Sequence, residues 1–384
     1  MDIDHIRMNR SLRSLTLPLL AIIAALPLLS PAVHAQYFGK NKVQYAKFNY
    51  YYIQSAHFDV YFTDGGEDLA TFTASAAEEA LVQIQREFRY QINARIPFIV
   101  YNSHNAFQQT NALQMYLEEG IGGVTELFKN RVIIPFEGSY KMFRHVIHHE
   151  LVHAVINEMF YGGSIQSIIE NSIRLQLPLW FNEGIAEYLA ADGWDTNSDM
   201  FIRDATTSNY IPPIPYLGGY FAYRGGQSVW WYIAEKYGKQ KVGEIVNRVR
   251  TNGSVDAGFK AAIGLNVEEL SERWMKEQKV LYYPDVSKRV MPEDYAKRLT
   301  NHTKLKNFYN TSPAISPAGD RIAFISDRDD NFSLYVMSTS DGRDVTRLVE
   351  GQTSADFEEL HLLTPGITWS PDGKSIAMSV KAGS

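Results

Sequence analysis

The chain has 384 residues, enough for two domains at a typical domain size of roughly 150 residues. Its hydrophobic fraction of 45% and charged fraction of 21% are those of a globular protein, and a net charge of −6 gives no reason to expect nucleic acid as a partner. The absence of cysteine excludes disulfides, thiolate metal ligands, a cysteine nucleophile and a lipid-modified N-terminal cysteine, so any bound metal must be held by histidine and carboxylate.

The N-terminus has the pattern of a secretory signal peptide. A basic stretch precedes the apolar run at 15–29, and small residues, Val33 and Ala35, stand at the two positions that a signal peptidase reads. This run is short for a membrane span of roughly 20 residues. We therefore predict a signal peptide over 1–35 and an exported protein (periplasmic, outer-membrane associated or secreted) with no stable membrane span after cleavage. A retained, proline-interrupted anchor is the alternative, and Met8 is an alternative start.

Residues 36–283 have strand patterns followed by helix patterns, which predicts an α+β domain. Alternating apolar residues predict strands, and these lie at 55–62, 96–102, 122–128 and 130–136. Apolar residues at helical spacing predict helices, and these lie at 65–93, 139–160, 180–190, 226–238, 241–250 and 266–283.

The C-terminal part has a different character. Charge and proline content rise after the last predicted helix, so we predict a linker over 284–310 that packs against either neighbour. In 311–384 the pattern Ser-Pro-x-Gly-x-x-Ile-Ala occurs twice, beginning at Ser316 and at Ser370, a period of 54 residues. Such self-similarity indicates a repeat architecture, and turns that lead into apolar strands are typical of propeller blades. Because only about one and a half repeats fit, we predict an incomplete all-β propeller-type segment, in which an isolated blade leaves its sheet faces uncovered.

The heptapeptide HHELVHA at 148–154 contains a candidate metal site. His149 and His153 are four residues apart, so on a helix both imidazoles lie on one face about one turn apart, where they can share a tetrahedral ion. Glu150, next to the first histidine, is placed to take a proton from water, as in the H-E-x-x-H motif of metal-assisted hydrolysis. A polar face on an ordinary helix is the alternative.

Two further histidines lie beside this pair. His148 lies about 100° round the helix from His149, so we expect it to face solvent or to support the site. His145 continues the ladder of His149 and His153, but it lies about 12 Å from His153 along the helix axis, too far for one ion with bonds of about 2.1 Å. We therefore expect His145 to be a hydrogen-bonding support residue.

A catalytic zinc needs a third protein ligand. Glu183 and Glu187 stand four residues apart on the helix predicted at 180–190, so both carboxylates face one way. Aromatic and aliphatic residues surround them, and two carboxylates in that setting require a partner. We predict that Glu183 completes a site for one zinc ion per chain with the histidine pair, while Glu187 accepts the N–H of a ligand histidine. A charged helix face is the alternative.

The pairing of HELVH with a downstream NEGIAEY resembles the gluzincin metallopeptidases, specifically the peptidase-MA-like group. The resemblance implies a zincin-like metallopeptidase domain over 36–283, in which Glu183 is the third ligand, Glu187 orients a histidine and Glu150 is the general base. The whole arrangement resembles a bacterial family in which a signal peptide, this domain and a TolB-like β-propeller follow one another. Such proteins commonly carry a full propeller, so the resemblance implies that 311–384 is a truncated one.

A peptidase of this kind also uses a hydrogen-bond donor for the oxyanion. Tyr223 is our candidate and Tyr220 the other, because the segment GGYFAYRGGQS is rich in glycine and lies just before a predicted helix. A packing role is the alternative for either tyrosine. Related zincins hold extended substrate along an edge strand, which here is 131–136 or 122–128.

Together these patterns predict an exported zinc-dependent peptidase that acts on peptide or protein substrates, with Glu150 as general base. The alternative from another class is an envelope binding or assembly protein, whose propeller binds an envelope partner and whose zincin domain is a scaffold. The presence of Glu150 favours the enzyme, since a structural site has no need of a base. A metal-dependent hydrolase of a non-peptide bond is the third alternative. The acidic turn at 327–331 is interpreted as solvated rather than as a second metal site.

Overall fold

The fold is that of a computed structural model, which describes residues 46–113, 117, 120–162, 175–290, 292–361 and 366–382. The predicted signal peptide at 1–35 lies outside these ranges. Within them, no helix has both the length and the apolar character needed to cross a membrane.

A five-stranded sheet forms the N-terminal part of the fold. Its strands are β1 (Tyr50–Gln54), β2 (Phe58–Thr63), β3 (Ile96–Tyr101), β4 (Val124–Glu126) and β5 (Arg131–Pro135). In the order β1-β2-β3-β5-β4, the three central strands are parallel, and β1 and β4 are antiparallel edges. All four predicted strands are present. The sequence does not predict β1, because its residues are exposed apart from half-buried Ile53 and show no apolar alternation.

Helices make up most of the chain between β5 and the C-terminal strands. Two helices precede this region, α1 (Glu67–Phe88) and α2 (His104–Gln108). The longer helices within it are α3 (Tyr140–Tyr161), α4 (Leu179–Ala190), α5 (Thr196–Thr207), α6 (Tyr220–Tyr237), α7 (Gln240–Asn252), α8 (Val255–Ile263) and α9 (Val267–Val286). Short turns of helix follow at α10 (Pro292–Tyr295) and α11 (His302–Leu305). Every predicted helix is present. α6 begins at Tyr220, ahead of its predicted start at 226. The helices α2, α5, α8, α10 and α11 are additional.

The core has two layers, one on each face of the sheet. Residues such as Val60 of β2 and Phe98 of β3 face the main core, together with Leu151 of α3 and Phe181 of α4. A smaller cluster lies on the opposite face of the sheet. It contains Tyr101 of β3 and Ile133 of β5, because successive side chains of a strand point to opposite faces. Phe107, Leu113 and Leu117 pack with them. The sheet is thus buried on both faces, and the architecture mixes helices with a sheet, in agreement with the predicted α+β domain.

The C-terminal strands form open sheets. Strands β6 (Asn310–Ile315), β7 (Arg321–Asp329), β8 (Asn331–Ser338) and β9 (Thr346–Glu350) make one antiparallel sheet. Two further pairs are β10 (Glu359–Leu360) with β13 (Val380–Lys381), and β11 (Thr368–Trp369) with β12 (Ile376–Ala377). No closed barrel or propeller is formed by the residues that the structure describes.

The sequence repeat has a structural counterpart in two turns. In the first turn, the amide of Gly319 donates to the carbonyl of Ser316 over 2.8 Å, and in the second the amide of Gly373 donates to Ser370 over 2.9 Å. Both glycines have positive φ angles, +74° and +68°, which suit glycine because it has no Cβ. The repeated motif therefore encodes the same turn at both positions.

The predicted linker packs on the C-terminal sheet. Leu299 lies against the cluster of Phe324 and Tyr335 on one face, and Lys297 donates to the carbonyl of Ser340 over 2.9 Å. On the other face, Trp369 packs against the cluster that contains Ala323. The expectation of a blade with uncovered faces is therefore wrong for this segment, because the linker and a β-hairpin cover part of each face.

Candidate metal centre

Helix α3 carries the histidine motif and is held against the β4–β5 hairpin. The side chain of Ser139 caps the helix by accepting from the amide of Met142, which satisfies one of the free N–H groups of its first turn. The Thr125 Oγ1 atom lies 2.9 Å from the carbonyl oxygen of Glu150, and the Asn130 amide donates to the carbonyl of Ala154 over 3.0 Å. The hairpin is thus joined to the middle of the helix, beside the motif.

The three predicted ligands meet at one point. The Nε2 atoms of His149 and His153 lie 3.1 Å apart, and the Glu183 Oε2 atom lies 3.2 Å from each of them. His149 and His153 are buried, and the Glu183 side chain is 13% exposed. The three donor atoms form a nearly equilateral triangle that joins α3 to α4.

This triangle fits a zinc ion. Donors bound at about 2.0–2.2 Å in tetrahedral geometry lie roughly 3.3–3.5 Å apart, close to the separations of 3.1 and 3.2 Å seen here. Two imidazole nitrogens and one carboxylate oxygen are also a donor set that zinc takes at catalytic sites. The geometry therefore accommodates the three-ligand zinc site predicted from the sequence.

The charges of the three candidate ligands stabilise one another. Burial by itself lowers the pKa of His149, but contacts with Glu183 and Glu187 outweigh it and raise that pKa to about 10. Burial raises the pKa of Glu183, but His153 and His149 reverse this and hold it well below its usual range. The carboxylate is therefore ionised at neutral pH, the state in which it can bind a cation.

Glu187 lies behind His149, one helical turn beyond Glu183. Its Oε1 atom is 3.3 Å from His149 Nδ1, and its Oε2 atom is 3.3 Å from His145 Nε2. Burial opposes ionisation of Glu187, but the two histidines lower the pKa of its carboxyl group far below the usual range. The structure thus places Glu187 and His145 beside His149, a predicted ligand, where the sequence predicts supporting residues.

A second group of possible donors overlaps the first. His145, His149 and Glu187 have donor atoms within 4.8 Å of one another. However, the Arg224 guanidinium lies 3.1 Å from Glu187 Oε2, and a fixed positive charge there opposes a second cation. The group of His149, His153 and Glu183 is therefore the better metal site.

His148 does not face solvent, which was one of the two alternatives expected for it. The residue is half-buried, and its Nε2 atom is buried with no hydrogen-bond partner among the described residues. Burial, followed by the neighbouring His145 and His149, lowers the pKa of His148 to about 4. It is therefore a neutral imidazole packed beside the site.

Glu150 faces the cleft with its carboxylate held by the β4 strand. The Thr125 hydroxyl donates to Glu150 Oε2 over 2.7 Å. Gly123 leaves the space for this side chain, since a Cβ atom at that position would lie 2.9 Å from both Cγ and Oε1 of Glu150. Neither Thr125 nor Gly123 is marked by any spacing in the sequence, because they reach Glu150 only through the pairing of β4 with β5.

Tyr223 stacks on His149, one of the predicted ligands. Its ring is within 14° of parallel to the ring of His149, with 6.1 Å between centroids. Burial, followed by the charges of Glu183 and Glu150, raises the pKa of Tyr223, so its hydroxyl keeps its proton. Both Tyr223 and the more exposed Tyr220 lie in the first turn of α6 and line the cleft, not in a loop before the helix as predicted.

Arg224 is a residue of this site that the sequence does not single out. Its NH1 atom donates to Glu187 Oε2 over 3.1 Å, and its Nε atom donates to the Tyr220 hydroxyl over 2.9 Å. Burial by itself lowers the pKa of Arg224, but Glu187, Tyr220 and Asp195 outweigh it and hold that pKa above its ordinary value. A lone arginine beside a tyrosine on a helix has no spacing signal, so only the packing of α4 on α6 reveals it.

The cleft above the donor atoms has a volume of about 640 Å³. One wall is the segment Gly120–Thr125 with Leu127, which includes the edge strand β4. The floor is the face of α3 that carries the histidines, and α4, α6 and Leu177 supply the rest. Of the two strands proposed from the sequence for substrate, β4 lies at the edge, whereas β5 is paired on both sides by β3 and β4.

The sequence of this region matches a known family. Residues 76–280 match the model of the Peptidase MA superfamily, over more than half of the chain. The chain belongs to the Peptidase MA superfamily. The matched region holds α3, α4 and α6 and therefore every residue of the donor triangle. The mixed α/β, zincin-like architecture described above is the fold of this superfamily member.

Among the solved structures similar to this superfamily member is an M1 zinc metallopeptidase from Deinococcus radiodurans, at 12% sequence identity and a TM-score of 0.36. The similarity covers 60% of this chain and 52% of the other, so the chain spans about half the length of that metallopeptidase. No curated protein matches the chain.

Proposed function

We propose that this member of the Peptidase MA superfamily is a zinc-dependent peptidase of the gluzincin type, with one zinc per chain held by His149, His153 and Glu183. The observation that carries the proposal is the donor triangle with sides of 3.1 and 3.2 Å. Glu150 stands beside it in the cleft. A site that served only to hold the fold together would be closed and would need no carboxylate beside it.

The residues around the triangle supply the acid–base chemistry. When bound, zinc contributes Lewis acidity toward water and the scissile carbonyl group. Glu150 accepts a proton from water and later donates it to the leaving amine. Thr125 fixes the Glu150 carboxylate for both transfers, because its hydroxyl donates to Oε2. Tyr223 keeps its proton and donates to the oxygen on which negative charge develops.

Strand β4 is the proposed binding site for the substrate backbone. It pairs with β5 on one side only, so its outer edge can accept an extended peptide as a further strand. Because β4 borders the cleft, a peptide added there would lie next to Glu150. This arrangement favours peptide or protein substrates over small esters, which make no ladder of backbone hydrogen bonds.

We also propose that the protein is exported and that its C-terminal segment belongs to a TolB-like propeller. The basic and apolar N-terminus with small residues at Val33 and Ala35 supports export. The four-stranded antiparallel sheet and the twice-used turn at Ser316 and Ser370 support a blade-type repeat.

Replacement of Glu150 by glutamine tests the proposed activity. The variant keeps the size of the side chain and an acceptor for Thr125, but it removes the base. We expect Glu150→Gln to bind zinc like the wild type and to lose at least about 100-fold in kcat on a peptide library. Equal cleavage by both proteins would refute the role of Glu150. Cleavage of an ester panel but of no peptide would point to the non-peptide hydrolase.

A further inference from the structure

We propose that Arg224 is a positioning residue, which holds Glu187 against His149 and thereby sets the affinity of the site for zinc. The inference rests on the proposed zinc site and assigns to that site a residue outside its ligand set. Arg224 does not touch the donor triangle. It acts through Glu187, whose Oε1 atom lies 3.3 Å from His149 Nδ1.

The contacts of Arg224 fix the position of its guanidinium. Nε donates to the Tyr220 hydroxyl over 2.9 Å, and the guanidinium carbon lies 5.4 Å from the centre of the Tyr220 ring. NH1 donates to Ser198 Oγ over 3.3 Å and to Glu187 Oε2 over 3.1 Å. A planar group held on several sides cannot follow Glu187 if that carboxylate rotates, so Arg224 keeps Glu187 in one orientation.

A buried network supports Arg224 from behind. The Ser198 hydroxyl lies 2.6 Å from Gln227 Oε1 and 2.9 Å from Asp195 Oδ2, and Gln227 Nε2 donates to the carbonyl of Gly193 over 3.0 Å. Ser198 and Gln227 are fully buried. Because these residues come from the end of α4, the start of α5 and the first turns of α6, the network fixes Arg224 relative to the helix that carries Glu187.

Loss of Arg224 has opposite expected effects on zinc affinity, depending on whether its charge or its positioning of Glu187 matters. Among the described residues that line the cleft, three carboxylates (Glu150, Glu183 and Glu187) face one arginine and no lysine. Zinc, with two positive charges, would bring this set to neutrality. Loss of the arginine charge would therefore strengthen zinc binding if only Coulomb attraction mattered. Loss of positioning would weaken it, since outer-shell partners of ligand histidines contribute about 10- to 100-fold in metal affinity.

The direction of the change in zinc affinity therefore tests the proposal. The dissociation constant of zinc is measured on the full chain by competition with a chromophoric chelator, for the wild type and for Arg224→Met. We expect the variant to bind zinc about 10- to 100-fold more weakly. Arg203→Met is the matched control, because Arg203 is also a partly buried, ion-paired arginine over a tyrosine ring, with Asp199 at 2.7 Å, but lies outside the cleft. Its zinc affinity should equal that of the wild type.

A double-mutant cycle separates positioning from a general loss of structure. In a Glu187→Gln background, Arg224→Met should change zinc affinity by less than about twofold, since the contact it maintains is already impaired. Tyr220→Phe removes the hydroxyl that holds Arg224 Nε and should weaken zinc binding in the same direction, even if Arg224→Met does not fold. With cobalt in place of zinc, the visible absorption of Arg224→Met should shift, because the orientation of His149 changes.

The outcomes distinguish this proposal from the proposed function. If the wild type binds zinc and both Arg224→Met and Tyr220→Phe bind it equally or more tightly, Arg224 has no positioning role and the zinc site stands. Equal effects of Arg224→Met in the wild-type and Glu187→Gln backgrounds would also overturn the proposal. A wild-type chain that binds no zinc would remove the proposed function and this inference together.

Discussion

Gly184 and Gly226 bring helices α4 and α6 into backbone contact. A Cβ atom on Gly184 would lie 2.5 Å from the Cα atom of Gly226, and one on Gly226 would lie 2.7 Å from the Cα atom of Gly184. Such short distances leave no room for any side chain between the helices. This crossing brings the two acids of α4 next to Tyr223 and Arg224 at the start of α6.

Gly184→Ala should therefore destabilise the protein strongly. The added methyl group meets backbone atoms that cannot rotate away, so we expect a loss of at least about 3 kcal/mol in the free energy of unfolding, at the upper end for overpacked cores. Chemical denaturation measures this change. Gly218→Ala is the control, because nothing lies within 4 Å of a Cβ atom at that position. Equal stability of the two variants would contradict the backbone contact.

Gly123→Ala should impair catalysis without affecting the metal. Its Cβ atom would lie 2.9 Å from Glu150 Oε1, so the base must move from its position beside Thr125. We expect kcat/KM on peptides to fall about 10- to 100-fold, as small misplacements of catalytic groups do, with unchanged zinc content. Gly122→Ala is the matched control, since its nearest neighbour would be Val146 at an ordinary 3.7 Å. Wild-type activity in Gly123→Ala would show that Glu150 is not constrained there.

Glu183→Ala should remove the third ligand and weaken zinc binding. The variant leaves only the pair of His149 and His153, which is too few for a catalytic zinc site. We expect about one zinc per wild-type chain and much less in the variant, measured by elemental analysis after purification without chelator. Zinc retained at wild-type stoichiometry and affinity would mean that another residue is the third ligand.

Tyr223→Phe should lower the rate of the chemical step. Loss of a donor to the developing oxyanion costs about 100- to 1,000-fold in kcat, which is measured at saturating zinc. Tyr220→Phe serves as the comparison. At saturating zinc its kcat should remain close to that of the wild type, since its hydroxyl contacts Arg224. The reverse pattern would assign the oxyanion to Tyr220.

Asp327 should make the C-terminal segment sensitive to acid. Its carboxylate accepts from the amides of Phe308 and Tyr309 at 3.1 and 2.8 Å. Burial by itself raises the pKa of Asp327, but these amides and the Asn307 side chain together lower it below its usual value. The stabilisation that comes from this lowered pKa is fully present above the pKa of the carboxyl group in the unfolded chain, about 3.9. It is lost as the pH falls through the lower pKa of the folded protein. Above pH ~4, the Tyr309 amide should therefore be better protected from hydrogen exchange in the wild type than in Asp327→Ala. In stronger acid the two proteins should show the same protection. Equal protection at neutral pH would contradict the prediction.

The chemistry of α3 and α4 is largely readable from the sequence because it depends on helical spacing. His149 and His153 share a face whenever 140–161 is helical, and Glu183 and Glu187 do so on α4. The central strands are readable for the same reason, since alternate residues of β2 face the core. The exposed β1 is not readable, because its residues show no apolar alternation. The polar α5 is not readable either, because it packs against α9, which lies far along the chain.

Only the tertiary structure decides the contacts between elements that lie far apart in the chain. The sequence names both His145 and Glu187, but only the packing of α3 on α4 places them 3.3 Å apart. Arg224 stands 37 residues from Glu187, and the two meet because α4 and α6 cross at a pair of glycines. The periodicity of a helix is a property of the local backbone and is written in the sequence. The choice of partner across a helix crossing depends on shape and burial, which arise only when the whole domain folds.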